Sequence, residues 1–304
     1  GSAVSTIAVS VNPTPAAPTA GSNSPLCAGS TINLTASNIA GATYNWSGPN
    51  SFTSTTQNPS IPGASTLSAG VYSVNVNVAG CTGPNGTVNV VVNPIPVSPT
   101  ANSNSPLCVG QTISLTASPM AGASYSWSGP NSFTSTLQNP TIPGASTLAA
   151  GVYSVTATVA GCTGSAGTVS VSVNIPPVAP TASANSPICA GQTLSLTAST
   201  IAGATYSWTG PASFTSTSQN PTIPTAATSS AGTYSVIALV GGCAGPAGVV
   251  TVTINPAPAA PTAGGTATLC AGSNINLSAS TIAGATYNWT GPNGFTSTVQ
   301  NPTI

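Results

Sequence analysis

The chain has 304 residues and contains no Asp, Glu, Lys, Arg or His, so its formal net charge is zero. General acid–base catalysis, carboxylate nucleophiles, arginine clamps on phosphate, and His or carboxylate metal ligands all need residues that are missing; the chain is therefore expected to be no enzyme and to carry no cofactor. Lys and Arg, the source of affinity for nucleic acid and anionic lipid, are missing too, while a 40% hydrophobic content sets the chain apart from disordered proteins.

In chain order, residues 6–12 (TIAVSVN) match residues 87–93 (TVNVVVN). Residues 1–13 therefore read as the final strand of a preceding module. A repeat then sets the register. Trp46, Trp127, Trp208 and Trp289 lie 81 residues apart, as do Phe52, Phe133, Phe214 and Phe295, with no insertion between copies. Three modules follow at 14–94, 95–175 and 176–256, and residues 257–304 form the N-terminal part of a further one. Their linkers are short and proline-rich, as at 93–96 (NPIP), which favours stiff extended chain. No apolar run approaches the roughly 18 residues of a membrane-spanning helix.

Within the first module, short alternating runs are bounded by Gly, Pro, Asn and Ser, the pattern of an all-β sandwich. Ile32, Leu34 and Ala36 fall on one face of a first strand, Tyr44 and Trp46 on one face of the next, and Tyr72, Val74 and Val76 on one face of a later one. Residues 52–55 read as a further strand, 60–64 as a short one interrupted by Pro62, and 87–92 as the closing strand. Helix is not expected anywhere.

The motifs Cys27-Ala28-Gly29, Leu34-Thr35-Ala36, Tyr44-Asn45-Trp46-Ser47-Gly48-Pro49-Asn50, Phe52-Thr53-Ser54-Thr55, Gln57-Asn58-Pro59, Ala69-Gly70-Val71-Tyr72-Ser73-Val74 and Gly80-Cys81 recur through the modules. As a set, this pattern resembles the immunoglobulin-like repeats of Bacteroidota cell-surface proteins, the kind found in large adhesins and in gliding-associated proteins exported by the type IX system. The resemblance implies tandem immunoglobulin-like β-sandwiches in a linear array, export, surface attachment, and a stalk or adhesive role. Trp46, Trp127, Trp208 and Trp289 then stand where such a sandwich keeps its core Trp, and Tyr72, Tyr153 and Tyr234 stand at the tyrosine corner. Members of this family ordinarily carry charged residues, and this chain departs from them there.

The seven cysteines alternate at spacings of 54 and 27: Cys27, Cys81, Cys108, Cys162, Cys189, Cys243 and Cys270. Without a Cys-x-x-Cys pair they read as structural disulfides rather than zinc ligands, which implies an oxidising compartment. Two pairings remain open. Cys27 with Cys81 lies within a module; Cys27 with Cys162 would staple neighbouring modules, because the Cys27 and Cys81 ends of a module fall at opposite poles, several residues apart at roughly 3.3 Å each.

The leading functional reading is a structural repeat of an extracellular filament, stalk or surface appendage. Its partner is itself, because an uncharged surface lacks the Lys and Glu that normally block strand edges and only Pro remains to guard them, for example Pro59 and Pro62. The alternative is an adhesin repeat for glycan or ice, with Phe52 and Asn50 as an aromatic platform or Thr53 and Thr55 presenting hydroxyls. Asn33, Asn45, Asn85, Asn276 and Asn288 lie in Asn-x-Ser/Thr sequons. Lysine-dependent isopeptide links and carboxylate-based calcium linkers are chemically unavailable.

Overall fold

The computed structural model describes residues 7–266 and 268–304. The chain divides into two compact units, one ending at Ile175 and one starting at Pro176. The first unit holds two sandwiches built from the same ten strands. In the first sandwich these are β1 (Ala20–Ser22), β2 (Leu26–Cys27), β3 (Ile32–Ala36), β4 (Thr43–Gly48), β5 (Phe52–Ser54), β6 (Ser60–Ile61), β7 (Gly70–Val78), β8 (Cys81–Thr82), β9 (Gly86–Val90) and β10 (Val92–Asn93). One sheet is antiparallel in the order β1-β3-β6; the other runs β5-β4-β7, with β8 and β9 both paired to β7. The short strands β2 and β10 pair in parallel, Leu26 against Val92 and Cys27 against Asn93.

The alternation in β3, β4 and β7 decides which face is buried. Ile32, Leu34, Trp46, Tyr72, Val74 and Val76 are each no more than 1% exposed, and burial of side chains this size supplies about 1.5–3 kcal/mol apiece. The polar tips of the aromatics are satisfied locally. Trp46 Nε1 donates to the Gln57 carbonyl at 3.2 Å, and the Tyr44 hydroxyl donates to the Ser37 carbonyl at 3.1 Å. The Tyr72 hydroxyl donates to the Ser68 carbonyl at 2.9 Å, at the end of the three-residue 3-10 turn Thr66–Ser68. Such turns are the only helical elements among the described residues. Gly48 is required where β4 crosses Tyr72, because a Cβ there would run into the phenol ring.

The ten strands recur over residues 101–174, and in the second unit over residues 182–255. Trp127 and Tyr153 in the second sandwich, and Trp208 and Tyr234 in the third, are likewise 1% exposed or less. Beyond the third sandwich the pairs are Ala263–Gly265 with Leu277–Ala279 and Trp289–Thr290 with Thr296–Ser297. Trp289 is only half-buried. Its indole donates to the Gln300 carbonyl at 3.3 Å as the other copies do, but among the described residues of 257–304 no counterpart of β7 covers the ring.

Two strand expectations change. Residues 7–12 form no strand, since no counterpart of β7 lies beside them to complete a ladder; Thr6 and the residues before it lie outside the described residues. The strand expected over 60–64 is cut to Ser60–Ile61, because Pro62 has no N–H to donate and Gly63 turns the chain at φ 62°. The proline segment between the first two sandwiches, expected as stiff extended chain, also makes contacts that the sequence reading does not include. The carbonyls of Pro96 and Pro99 press against Gly164 and Gly167, where no Cβ could be placed, so the segment is packed onto the sandwich that follows it.

Candidate functional site: the joint between the first two sandwiches

The chain leaves the first sandwich through a parallel pair that is tied on both sides. The Ser24 hydroxyl accepts the Val91 N–H at 2.7 Å, the Leu26 N–H donates to the Val91 carbonyl at 3.1 Å, and the Ala28 N–H donates to the Asn93 carbonyl at 2.8 Å. Cys27 and Asn93 thus sit side by side where the sandwich ends. On the second sandwich, the strand Gly151–Val159 turns through Ala160 and Gly161 into Cys162–Thr163. Val159 and Cys162 are register partners. Both turn residues have positive φ, 49° and 79°, the backbone of a tight two-residue hairpin.

Two side chains of the first sandwich meet this turn. Asn93 Nδ2 donates to the Ala160 carbonyl at 3.2 Å, and Cys27 Sγ lies 3.8 Å from the Gly161 carbonyl oxygen. Cys27 is bonded to Cys162, with the Cα atoms 5.6 Å apart and a sequence separation of 135. This separation is within the range a disulfide needs. Cys162 is 1% exposed, so its half of the bond is shielded from solvent.

The pairing within a repeat is not made. Cys81 is a free thiol, lying beside Asn12 where the chain enters the first sandwich, whereas Cys27 lies beside Asn93 where the chain leaves it. Cys108 and Cys243 are also in the disulfide state, and Cys189 and Cys270 are exposed free thiols. Among the described residues no group of three or more potential metal ligands comes together. Asn93 was not singled out in the sequence, although Asn12, Asn93, Asn174 and Asn255 recur at the 81-residue spacing. That recurrence was the available signal.

The aromatic platform takes a different form. Phe52 is half-buried and packs edge-on against Tyr72 at 5.6 Å between ring centroids, because the turn through Asn50 and Ser51, both at positive φ, folds β5 back over the core. Asn50, Thr53 and Thr55 remain exposed, as do the sequon residues Asn33, Asn45, Asn85, Asn276 and Asn288. Burial pushes the Tyr72, Tyr153 and Tyr234 hydroxyls above their ordinary pKa.

The family model for the Ig-like domain described as CHU_C associated matches residues 177–256, the third repeat. No curated protein matches this sequence. Among solved structures, the chain is similar to the three N-terminal domains of the Highly Immunogenic Outer Capsid protein of bacteriophage RB49 at 15% identity, covering 79% of this chain and 99% of that one with a TM-score of 0.37. It is also similar to domains A168–A170 of titin at 13% identity, covering 81% and 97% with a TM-score of 0.35. A third is the full ectodomain of mouse nectin-like molecule 4, at 11% identity, 76% and 96% coverage and a TM-score of 0.35. No helix among the described residues is long and apolar enough to cross a membrane.

Proposed function

We propose that the chain is a tension-bearing segment of an extracellular stalk, filament or surface appendage, in which neighbouring immunoglobulin-like modules are stapled covalently. The observation that carries this reading is the Cys27–Cys162 bond. Tension entering at the first sandwich reaches Cys27, crosses the sulfur bridge to Cys162, and leaves by the second sandwich. The 134 residues between the two cysteines (162 − 27 − 1) are then bypassed. They include most of both cores, which a pull on the chain would otherwise unfold.

The boundaries 14–94, 95–175 and 176–256 are the mechanical modules of this proposal. A structural disulfide supports an oxidising setting, as outside the cell. Self-association is the second part, supported by a surface with no charge to keep neighbours apart. It is limited by strand length: β5 has three residues and β6 two, and very short edge strands are themselves a guard against pairing. The type IX export and surface attachment implied by the family resemblance belong to the same reading, and the adhesin repeat is its alternative. Glycan binding has less support, because the Phe52 ring is engaged with Tyr72.

The test is mechanical. Pulled from its ends, the oxidised protein should withhold the bypassed residues from extension, and reduction should release them. Equal extension in both states refutes the bypass. Light scattering of the oxidised protein at increasing concentration should show assembly, and a monodisperse monomer throughout would refute the self-association.

A further inference from the structure

Cys81 and its surroundings repeat, atom for atom in kind, one half of the joint at Cys162. Cys81 follows a turn through Ala79 and Gly80 at φ 48° and 84° and is the register partner of Val78, as Cys162 is of Val159. The Gly83 N–H donates to the Val76 carbonyl at 2.9 Å, matching Gly164 and Ala157 at 2.9 Å. Asn12 Nδ2 donates to the Ala79 carbonyl at 3.2 Å, as Asn93 Nδ2 does to Ala160 at 3.2 Å. In the completed joint, the residue paired in parallel with Asn93 is Cys27, the cysteine that bonds to Cys162. Beside Asn12, no strand equivalent to β2 is present among the described residues, and Cys81 is a free, half-buried thiol 3.6 Å from the Asn12 carbonyl.

We propose that Cys81 is an acceptor site for a disulfide with the cysteine of a β2-type strand, Ser-Pro-Leu/Ile-Cys, laid parallel to residues 11–12 and supplied by another repeat of this kind. The bond forms by thiol–disulfide exchange. The Cys81 thiolate attacks the partner cysteine, held as a mixed disulfide with a low-molecular-weight thiol; the new S–S bond forms, the old one breaks, and the small thiol leaves carrying the electron pair and takes up a proton. Asn12 sets the register by holding residues 11–12 on the Ala79 turn. The consequence is that each module gives one cysteine forward and receives one from behind, so the staple propagates along the array. This deepens the stalk reading and rests on it, but the two fail separately, because Cys81 is a free thiol in the chain that is stretched and takes no part in the mechanical test.

The probe is a peptide of residues 22–29 with its cysteine activated as a mixed disulfide, added to the full chain with the Cys27–Cys162 bond intact. Mass mapping should find Cys81 captured about tenfold faster by this peptide than by one of scrambled order, equivalent to about 1.4 kcal/mol of docking preference. Cys189 and Cys270 should not distinguish the two peptides, and Asn12→Ala should abolish the preference at Cys81. Equal rates at Cys81, or a preference that survives Asn12→Ala, overturn the proposal. A second measurement uses the chain with residues 14–94 duplicated in place of residues 1–13. Peptide mapping should join the added copy's β2 cysteine to Cys81, and a Cys81 left free or bonded elsewhere overturns the site.

Discussion

The Tyr153 hydroxyl shows how a single group ties chemistry to stability here. It is buried, and it donates to the Ala149 carbonyl at 2.8 Å. Tyr153→Phe removes the donor and strands that carbonyl, so a loss of about 1–1.5 kcal/mol is expected in chemical denaturation. Phe133, stacked edge-on against the same ring, keeps its packing. The raised pKa values of Tyr72, Tyr153 and Tyr234 fix the pH dependence. A folded-state pKa above the unfolded value near 10 means that the neutral phenol is favoured by folding, so this stability is complete below about pH 10 and is lost as pH rises through the folded pKa. No carboxylate, His or Lys side chain opposes it. With the free thiols alkylated, Tm should stay flat from about pH 3 to pH 8 and fall above about pH 10. Acid unfolding in the range where carboxylates titrate would contradict this account, since the chain has no side-chain carboxylate to protonate.

At the scale of the element, the strands that could be read were those whose own side chains carry the signal. Ile32, Leu34 and Ala36 alternate because β3 has one buried face, and Tyr72, Val74 and Val76 alternate in β7 for the same reason. The elements that could not be read depend on partners elsewhere in the chain. Residues 7–12 alternate as well as β9 does, yet form no strand. The role of Asn93 lies in a carbonyl 67 residues away. Phe52 looked exposed only because the fold-back of β5 onto Tyr72 leaves no local trace in the sequence. The proline linker reads as extended chain, but its packing against Gly164 and Gly167 has no local signal.

Two substitutions test this level. Ala160 holds a left-handed conformation that costs an L-residue about 1–2 kcal/mol, so Ala160→Gly should stabilise the second sandwich, by somewhat less than that because glycine also frees the unfolded chain. Gly129→Ala places a methyl group against the Tyr153 ring and should destabilise by about 1–3 kcal/mol through overpacking.

For the whole molecule, the absence of charge does not leave polar atoms stranded: among the described residues no buried side-chain nitrogen or oxygen lacks a partner. Stability comes from apolar burial, hydrogen bonds and disulfides, without ion pairs to screen. Tm should therefore change little when sodium chloride is raised from about 0.01 to 0.15 M, a range over which the screening length falls from about 30 to 8 Å. The repeat, the all-β class and the cysteine spacing were legible because each is a property of residue order. Which cysteine meets Cys27 was not, since it depends on how one sandwich docks on the next.

The central claim is that the Cys27–Cys162 bond carries tension past the residues it encloses. Single-molecule stretching of the chain from its termini, before and after a reductant, tests it directly. A residue spans at most about 3.3–3.6 Å when extended, so reduction should add roughly 440–480 Å of contour length for this one bridge, with unfolding steps for the first two sandwiches appearing only then. Unfolding steps from both sandwiches in the oxidised protein, at unchanged contour length on reduction, would contradict it.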